Sequence, residues 1–251
     1  MTDALYQSIA IPGACYLGKR VFKKLFYENT KLRATDKKAF REDIETIIWQ
    51  YTLKPSTIQI QPYENEEREY HEVALLHVDL KTQKRTVRIA EIMHRAIPYP
   101  LMIIFAYKTM CAISTAHKRF SQTEKGVIVA EDFAFTDWID LSCQTPVQKE
   151  FLTSLSVSTL PHIHFFAFYS ALVDRLIALD CARLTGHYSL ESAADKRRTR
   201  RELLATCHEL ENRIKELKTA IKKETLFNRQ VELNTSIKEL ENQLKNKADR
   251  L

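Results

Sequence analysis

Apolar positions crowd most densely between Tyr70 and Lys118, and their spacing changes period within that stretch. Glu72 to Lys81 reads Glu-Val-Ala-Leu-Leu-His-Val-Asp-Leu-Lys, the length and composition of a buried strand. Ile89, Ile92, Met93 and Ile97 follow at helical spacing and are ended by Pro98. Two further apolar runs, Leu101 to Tyr107 and Met110 to Ala116, are separated only by Lys108-Thr109 and predict a hairpin. Pro98 and Pro100 flank Tyr99 and forbid helix there, so the chain must enter the sheet extended. The core lies here.

The flanking sequence supplies the other layers. Met1 to Leu17 reads as a loop. Thr35 or Asp36 can cap a helix with the apolar face Phe40, Ile44, Ile47, Ile48 and Tyr51, ended by Pro55. Ser56 to Ile60 reads as a short edge strand, Glu64 to Glu69 as an acidic loop, and Val127 to Ala130 as another strand. A short helix is predicted from Pro146 to Leu155. A long apolar one runs from Phe165 to Leu184, with Pro161 in its first turn and Gly186 as its stop. Residues 1–188 thus form an α/β (α+β) domain, with a small mixed or antiparallel sheet of four or five strands and flanking helices.

Residues 189–251 have a different pattern. Leu203, Cys207, Leu210, Ile214, Leu217 and Ile221 alternate steps of four and three, which is the seam of a coiled coil. The register fails at Glu224 and Asn228, then resumes in another phase at Leu226, Leu233, Ile237, Leu240 and Leu244. One long helix with a stutter and a folded-back hairpin both satisfy this, since no Gly or Pro marks a turn. Leu203, Leu210, Ile214, Leu217 and Ile221 are the candidate oligomerisation contacts, and a homo-oligomer is expected.

Composition narrows the chemistry. The chain has four glycines among 251 residues, which leaves no phosphate-cradling loop and no dinucleotide fingerprint. Its five cysteines are scattered and odd in number, as in a reducing compartment. No signal peptide or bilayer-length apolar run occurs, so a cytoplasmic protein without membrane contact is expected. The net charge of +6 divides into +6 over residues 1–41, −6 over 42–195 and +6 over 196–251. Basic ends of this kind suit DNA phosphate or an acidic partner surface, or they pair with the acidic middle. The candidate nucleic-acid contacts are Lys19, Arg20, Lys23 and Lys24, interleaved with aromatics, and the run Arg197, Arg198, Arg200 and Arg201. Packing of Val21, Phe22, Leu25 and Phe26 onto the core is the competing explanation of the first group.

Catalytic signals are few. Asp79-Leu80-Lys81 could serve a Mg²⁺-dependent, restriction-type nuclease, with a carboxylate drawn from Glu64, Glu66 or Glu67. Such three-residue matches are common, and the usual second carboxylate is missing from its place. His162 and His164, two apart, face different sides of a helix and suit packing or capping better than a metal. His71 and His77 could share a strand face but have no second pair. No cofactor or metal is called for.

Several elements carry a resemblance: Lys23-Lys24-Leu-Phe-Tyr-Glu28-Asn29, Trp49, Ala96-Ile97-Pro98-Tyr99-Pro100, Lys118 after the next strand, Trp138, and Lys222 to Asn234. Together they resemble a bacterial family, domain of unknown function 4391, over nearly the whole chain. The resemblance implies company with helicases and DNA methyltransferases in restriction-like, anti-phage gene neighbourhoods, with no established activity. The expected function is therefore a non-catalytic accessory subunit of a DNA-targeting defence system. It would contact DNA or a partner through its basic ends and assemble through the coiled coil. A nuclease using Asp79 and Lys81, and a protein-only adaptor, are the alternatives.

Overall fold

The computed structural model describes residues 2–29 and 32–251. The chain divides into two compact units, residues 1–179 and 180–251.

The first unit is built on a mixed seven-stranded sheet. Its path runs β1 (Tyr16–Arg20), β2 (Ile44–Leu53), β5 (Val73–Leu80), β6 (Leu101–Tyr107), β7 (Met110–Phe120) and β8 (Ile128–Phe135), with β9 (Ile139–Asp140) beside β7. A small hairpin, β3 (Tyr63–Glu64) and β4 (Glu69–Tyr70), lies apart. Among the described strands of this sheet, β5 and β6 alone pair in parallel, joined by α5 (Thr86–Ala96). Alternation along β5 feeds both faces. Ala74, Leu76, Val78 and Leu80 join Phe40 of α3 (Ala34–Glu42) and Ile89 and Met93 of α5 in one core. On the other face, Val73 and Leu75 meet Ile9 of α1 (Thr2–Ile9), Leu155 beyond α6 (Pro146–Ser154), and Phe168 and Leu172 of α7 (Phe165–Thr185), around a small apolar cavity. Helices therefore cover both faces.

The central unit follows its apolar pattern, but five expectations are corrected. The predicted helix through Tyr51 stops at Glu42, and Ile44–Leu53 is strand β2. Its β-branched and aromatic residues favour a pleated surface. Two register shifts, between Ile44 and Thr46 and between Trp49 and Tyr51, break the period of two, so the apolar spacing imitates a helix. Ser56–Ile60 is not a strand: Pro55 opens a single helical turn, α4 (Pro55–Ile58), whose Thr57 hydroxyl accepts the Lys54 amide at 2.9 Å. The first seventeen residues hold α1, a 3-10 turn at Gly13–Cys15 and the start of β1 rather than a loop, with Leu5 and Ile9 buried one turn apart. Pro161 lies ahead of α7, because residue 164 still bridges Gln61 in extended form. The sheet accordingly has seven strands rather than four or five. Gly186, at φ +83°, sends its amide back to Ala182 and ends α7 as anticipated.

The second unit holds α8 (Ala194–Ile221) and α9 (Phe227–Ala248), packed as an antiparallel hairpin. Lys218 pairs with Glu241 across it at 2.7 Å. The turn needs neither Gly nor Pro. The Glu224 carboxylate accepts the amides of Thr225 at 2.8 Å and Leu226 at 3.0 Å, while Gln230 donates to the Glu224 carbonyl at 2.7 Å. Cys207, Ile214 and Ile237 are buried in the seam; Leu203, Leu210, Leu217 and Ile221 are half-buried. Among the described residues, no helix is long and apolar enough to cross a membrane.

Candidate nucleic-acid interface

Strand β1 is the sheet's edge and is exposed along its whole length. Its register against β2 slips between Tyr16, opposite Tyr51, and Lys19, opposite Trp49. Gly18 takes up the extra residue at φ +61°. The Tyr16 ring folds back over it, so closely that a Cβ at Gly18 would sit 2.5 Å from the Tyr16 hydroxyl oxygen. The same ring meets Tyr51 edge-on, centroids 5.7 Å apart.

Lys19 and Arg20 follow on the exposed strand, and Lys23 precedes α2 (Lys24–Asn29), where Lys24 is exposed. Lys23 is half-buried and donates its Nζ to the Ile44 carbonyl at 2.5 Å. Burial pulls its pKa below the ordinary lysine value; the nearby charges of Lys81 and Arg20 add to that, and Glu45 opposes it. Lys81 sits just past β5, its amide held by the Asp43 carbonyl at 2.7 Å. Thus Arg20 and Lys23 of one segment and Lys81 from beyond β5 come close at one rim of the sheet. Only Lys81 was expected in another role. Glu28 and Asn29 of the family-like segment have side chains outside the described set.

The nuclease alternative meets a different geometry. Asp79 is committed to its own neighbours: Thr46 Oγ1 and His77 Nε2 (3.0 Å) donate to its two carboxylate oxygens. His77 Nδ1 is left to accept the hydroxyl of Tyr6 at 2.7 Å. The His77 bond, first, and the Thr46 bond hold the Asp79 carboxyl below its ordinary pKa, against the opposing effect of burial. The glutamates are elsewhere. Ala74 pairs with Leu101, which pairs with Ala116, so Phe120 lies beyond the start of β5. There the Phe120 amide binds the Glu67 carbonyl. Asp79 is at the other end, roughly 17 Å of strand away from Ala74. The structure therefore does not bring Glu64, Glu66 or Glu67 to Asp79. Among the described residues no group of three or more His, Cys, Asp or Glu could hold a metal ion.

The histidines have structural partners. His164 Nδ1 accepts the Ala167 amide at 3.0 Å and caps α7, and His162 Nε2 reaches the Val157 carbonyl at 3.0 Å. His71 lies outside β5, 3.4 Å from Glu64.

Lys118 belongs to β7 itself rather than to the chain after it. Its buried Nζ donates to the carbonyls of His94 and of Ile97 (2.7 Å), at the C-terminal end of α5. Burial lowers its pKa to about 7. The Ile-Pro-Tyr-Pro segment and Lys118, far apart in sequence, are thereby one structural joint. Beside it, His94 is fully buried, bonded through Nε2 to Ser114 at 3.0 Å.

In the second unit the basic run is divided. Arg198 is exposed, 3.7 Å from Asp195. Arg197 is half-buried and donates to the Ser192 carbonyl at 2.5 Å. Arg200 is buried, its guanidinium on the Ser189 carbonyl at 2.7 Å, and Arg201 is half-buried.

A mixed sheet with helices on both faces, a basic edge and a helical hairpin defines an α/β protein with a helical appendage. The chain belongs to the family described as Domain of unknown function (DUF4391), which matches residues 9–244. No curated protein and no solved structure matches it.

Proposed function

We propose that this protein is a non-catalytic accessory subunit of a bacterial DNA-targeting defence assembly, which contacts DNA phosphate through the basic edge of its sheet. The observation that supports this most is the nearness of Arg20, Lys23 and Lys81 at one rim, where Glu45 opposes their repulsion on Lys23, with Lys19 on the same exposed strand as Arg20. Like charges repel, and holding several together on a surface costs folding stability unless an anion joins them. Lys19, Arg20 and Lys81 have no ion-pair partner among the described residues. In this reading Lys24 adds charge to the edge, the exposed Arg198 offers a separate contact in the second unit, and Leu203, Leu210, Leu217 and Ile221, left half-buried by the α8–α9 hairpin that buries Ile214, join subunits. The companions are those the family resemblance implies, a helicase and/or a DNA methyltransferase of the same locus.

Binding of the full chain to labelled DNA across a salt series tests the reading. Log affinity should fall linearly with log salt, by about 0.9 per phosphate contact on duplex. The triple substitution Lys19→Ala, Arg20→Ala and Lys81→Ala should weaken binding and flatten that slope. Affinity that ignores salt, or survives the triple substitution, would remove DNA contact from the function.

A further inference from the structure

We infer that the β1 edge takes single-stranded DNA, an inference that rests on the DNA-contact reading and specifies its substrate. The edge pairs its cations with bare aromatic rings. Tyr16 is 59% exposed and Phe22 65% exposed, and Lys19 and Arg20 lie between them. Rings placed so far out of the core leave apolar faces in water. In duplex DNA the base faces are stacked on one another, and a protein sees only phosphates and groove edges. An unpaired strand bares those faces, and a ring beside a cation can then stack a base while the cation meets its phosphate.

The Tyr16 ring is prearranged for this. The left-handed Gly18 lets the ring lie over the backbone, and Tyr51 packs against it at 73°. Part of the entropy of ordering a stacking platform is thus lost on folding rather than on binding. Tyr16 and Phe22 are six positions apart, at most about 20 Å of extended chain, which accommodates about four nucleotides, the low end for folds that bind single strands. Lys23 and Lys81 stand beyond Arg20 on the side toward which the strand would continue.

Fluorescence anisotropy of the full chain with an oligo-dT of about 20 nucleotides and with a duplex of that length tests the inference. Oligo-dT should bind about ten-fold tighter than duplex. Tyr16→Ala and Phe22→Ala should each cost about ten-fold on oligo-dT and leave duplex affinity unchanged, while Tyr16→Phe keeps the ring and the affinity. Gly18→Ala, which displaces the ring, should behave like Tyr16→Ala; thermal melts of all four report folding. If both ring removals leave oligo-dT affinity within about two-fold while Lys19→Ala with Arg20→Ala abolishes it, the edge is a phosphate grip only. The single-strand inference then fails and the DNA-contact reading stands. If neither nucleic acid binds, both fail.

Discussion

One buried lysine and a group of rim cations stand apart on the same sheet and are satisfied in different ways. Lys118, level with the start of β5, is 2% exposed and is surrounded by the chain's own backbone. It meets the negative end of the α5 dipole through the His94 and Ile97 carbonyls. At the far end, Lys23 lies by the Ile44 carbonyl and Lys81 by Asp43, and the charges of Lys81 and Arg20 both act on Lys23. Both positions lower a lysine pKa, for Lys118 through burial and for Lys23 through burial with added repulsion. What differs is satisfaction. The buried lysine has its acceptors within the fold, whereas among the described residues Lys19, Arg20 and Lys81 have no ion-pair partner, which in the proposed reading leaves them for phosphate.

The contrast is most easily broken at Lys118. Lys118→Ala removes the side chain and strands two buried carbonyls, so it should destabilise the protein by about 3 kcal/mol, read by chemical denaturation. Lys81→Ala should stay within about 0.5 kcal/mol, as an exposed substitution does. Losses of equal size would mean that the two ends are not used differently.

A pH series sharpens the same point. Lys118 titrates near 7 in the fold, against an ordinary value of 10.5. Between those values the unfolded chain holds a proton that the folded chain has released. Stability therefore rises with pH across that window and is lowest below it, with a slope of at most about 1.4 kcal/mol per pH unit. His94, also pushed down by burial, contributes in the same direction below its ordinary value of 6.5. Measurement between pH 7 and about 8.5 avoids the opposite effect of buried Cys111 and Tyr70, whose pKa values are raised. Lys118→Met should abolish the rise in that interval. A slope that persists belongs to another group.

Which of these features the sequence discloses depends on whether they are local. Strand β5, helix α5 and the β6–β7 hairpin were legible because their apolar periods are intact and Pro98 and Pro100 punctuate them. Strand β2 was not, because its two bulges turn a period of two into apparent helical spacing. Strand β1 carries no buried alternation at all. The hairpin turn at Glu224 escaped because a carboxylate and a glutamine replace the usual Gly or Pro. For the site, the cations from Lys19 to Lys24 stood out by their interleaving with aromatics. The arrival of Lys81 beside them depends on strand pairing, which no local pattern encodes. The supposed cluster of Arg197 to Arg201 looked uniform because one-dimensional spacing does not distinguish an arginine turned inward.

That last division gives the most discriminating effect. Arg200 is 9% exposed and donates to the Ser189 carbonyl at 2.7 Å and hydroxyl at 3.3 Å. Its charge also acts on the Cys181 thiol, whose pKa burial raises and Arg200 partly lowers again. The Arg198 side chain is 74% exposed, with only a loose pairing to Asp195. If the run meets DNA phosphate, Arg198→Ala should lower the salt slope by about 0.9 and change stability by little. Arg200→Ala should do the reverse, leaving the slope unchanged and costing about 1–3 kcal/mol, because it strands groups that were bonded. Equal changes in slope would mean that Arg200 leaves Ser189 to reach the phosphate. A slope unchanged by either variant would confine DNA contact to the sheet edge and leave Arg198 to an acidic protein surface.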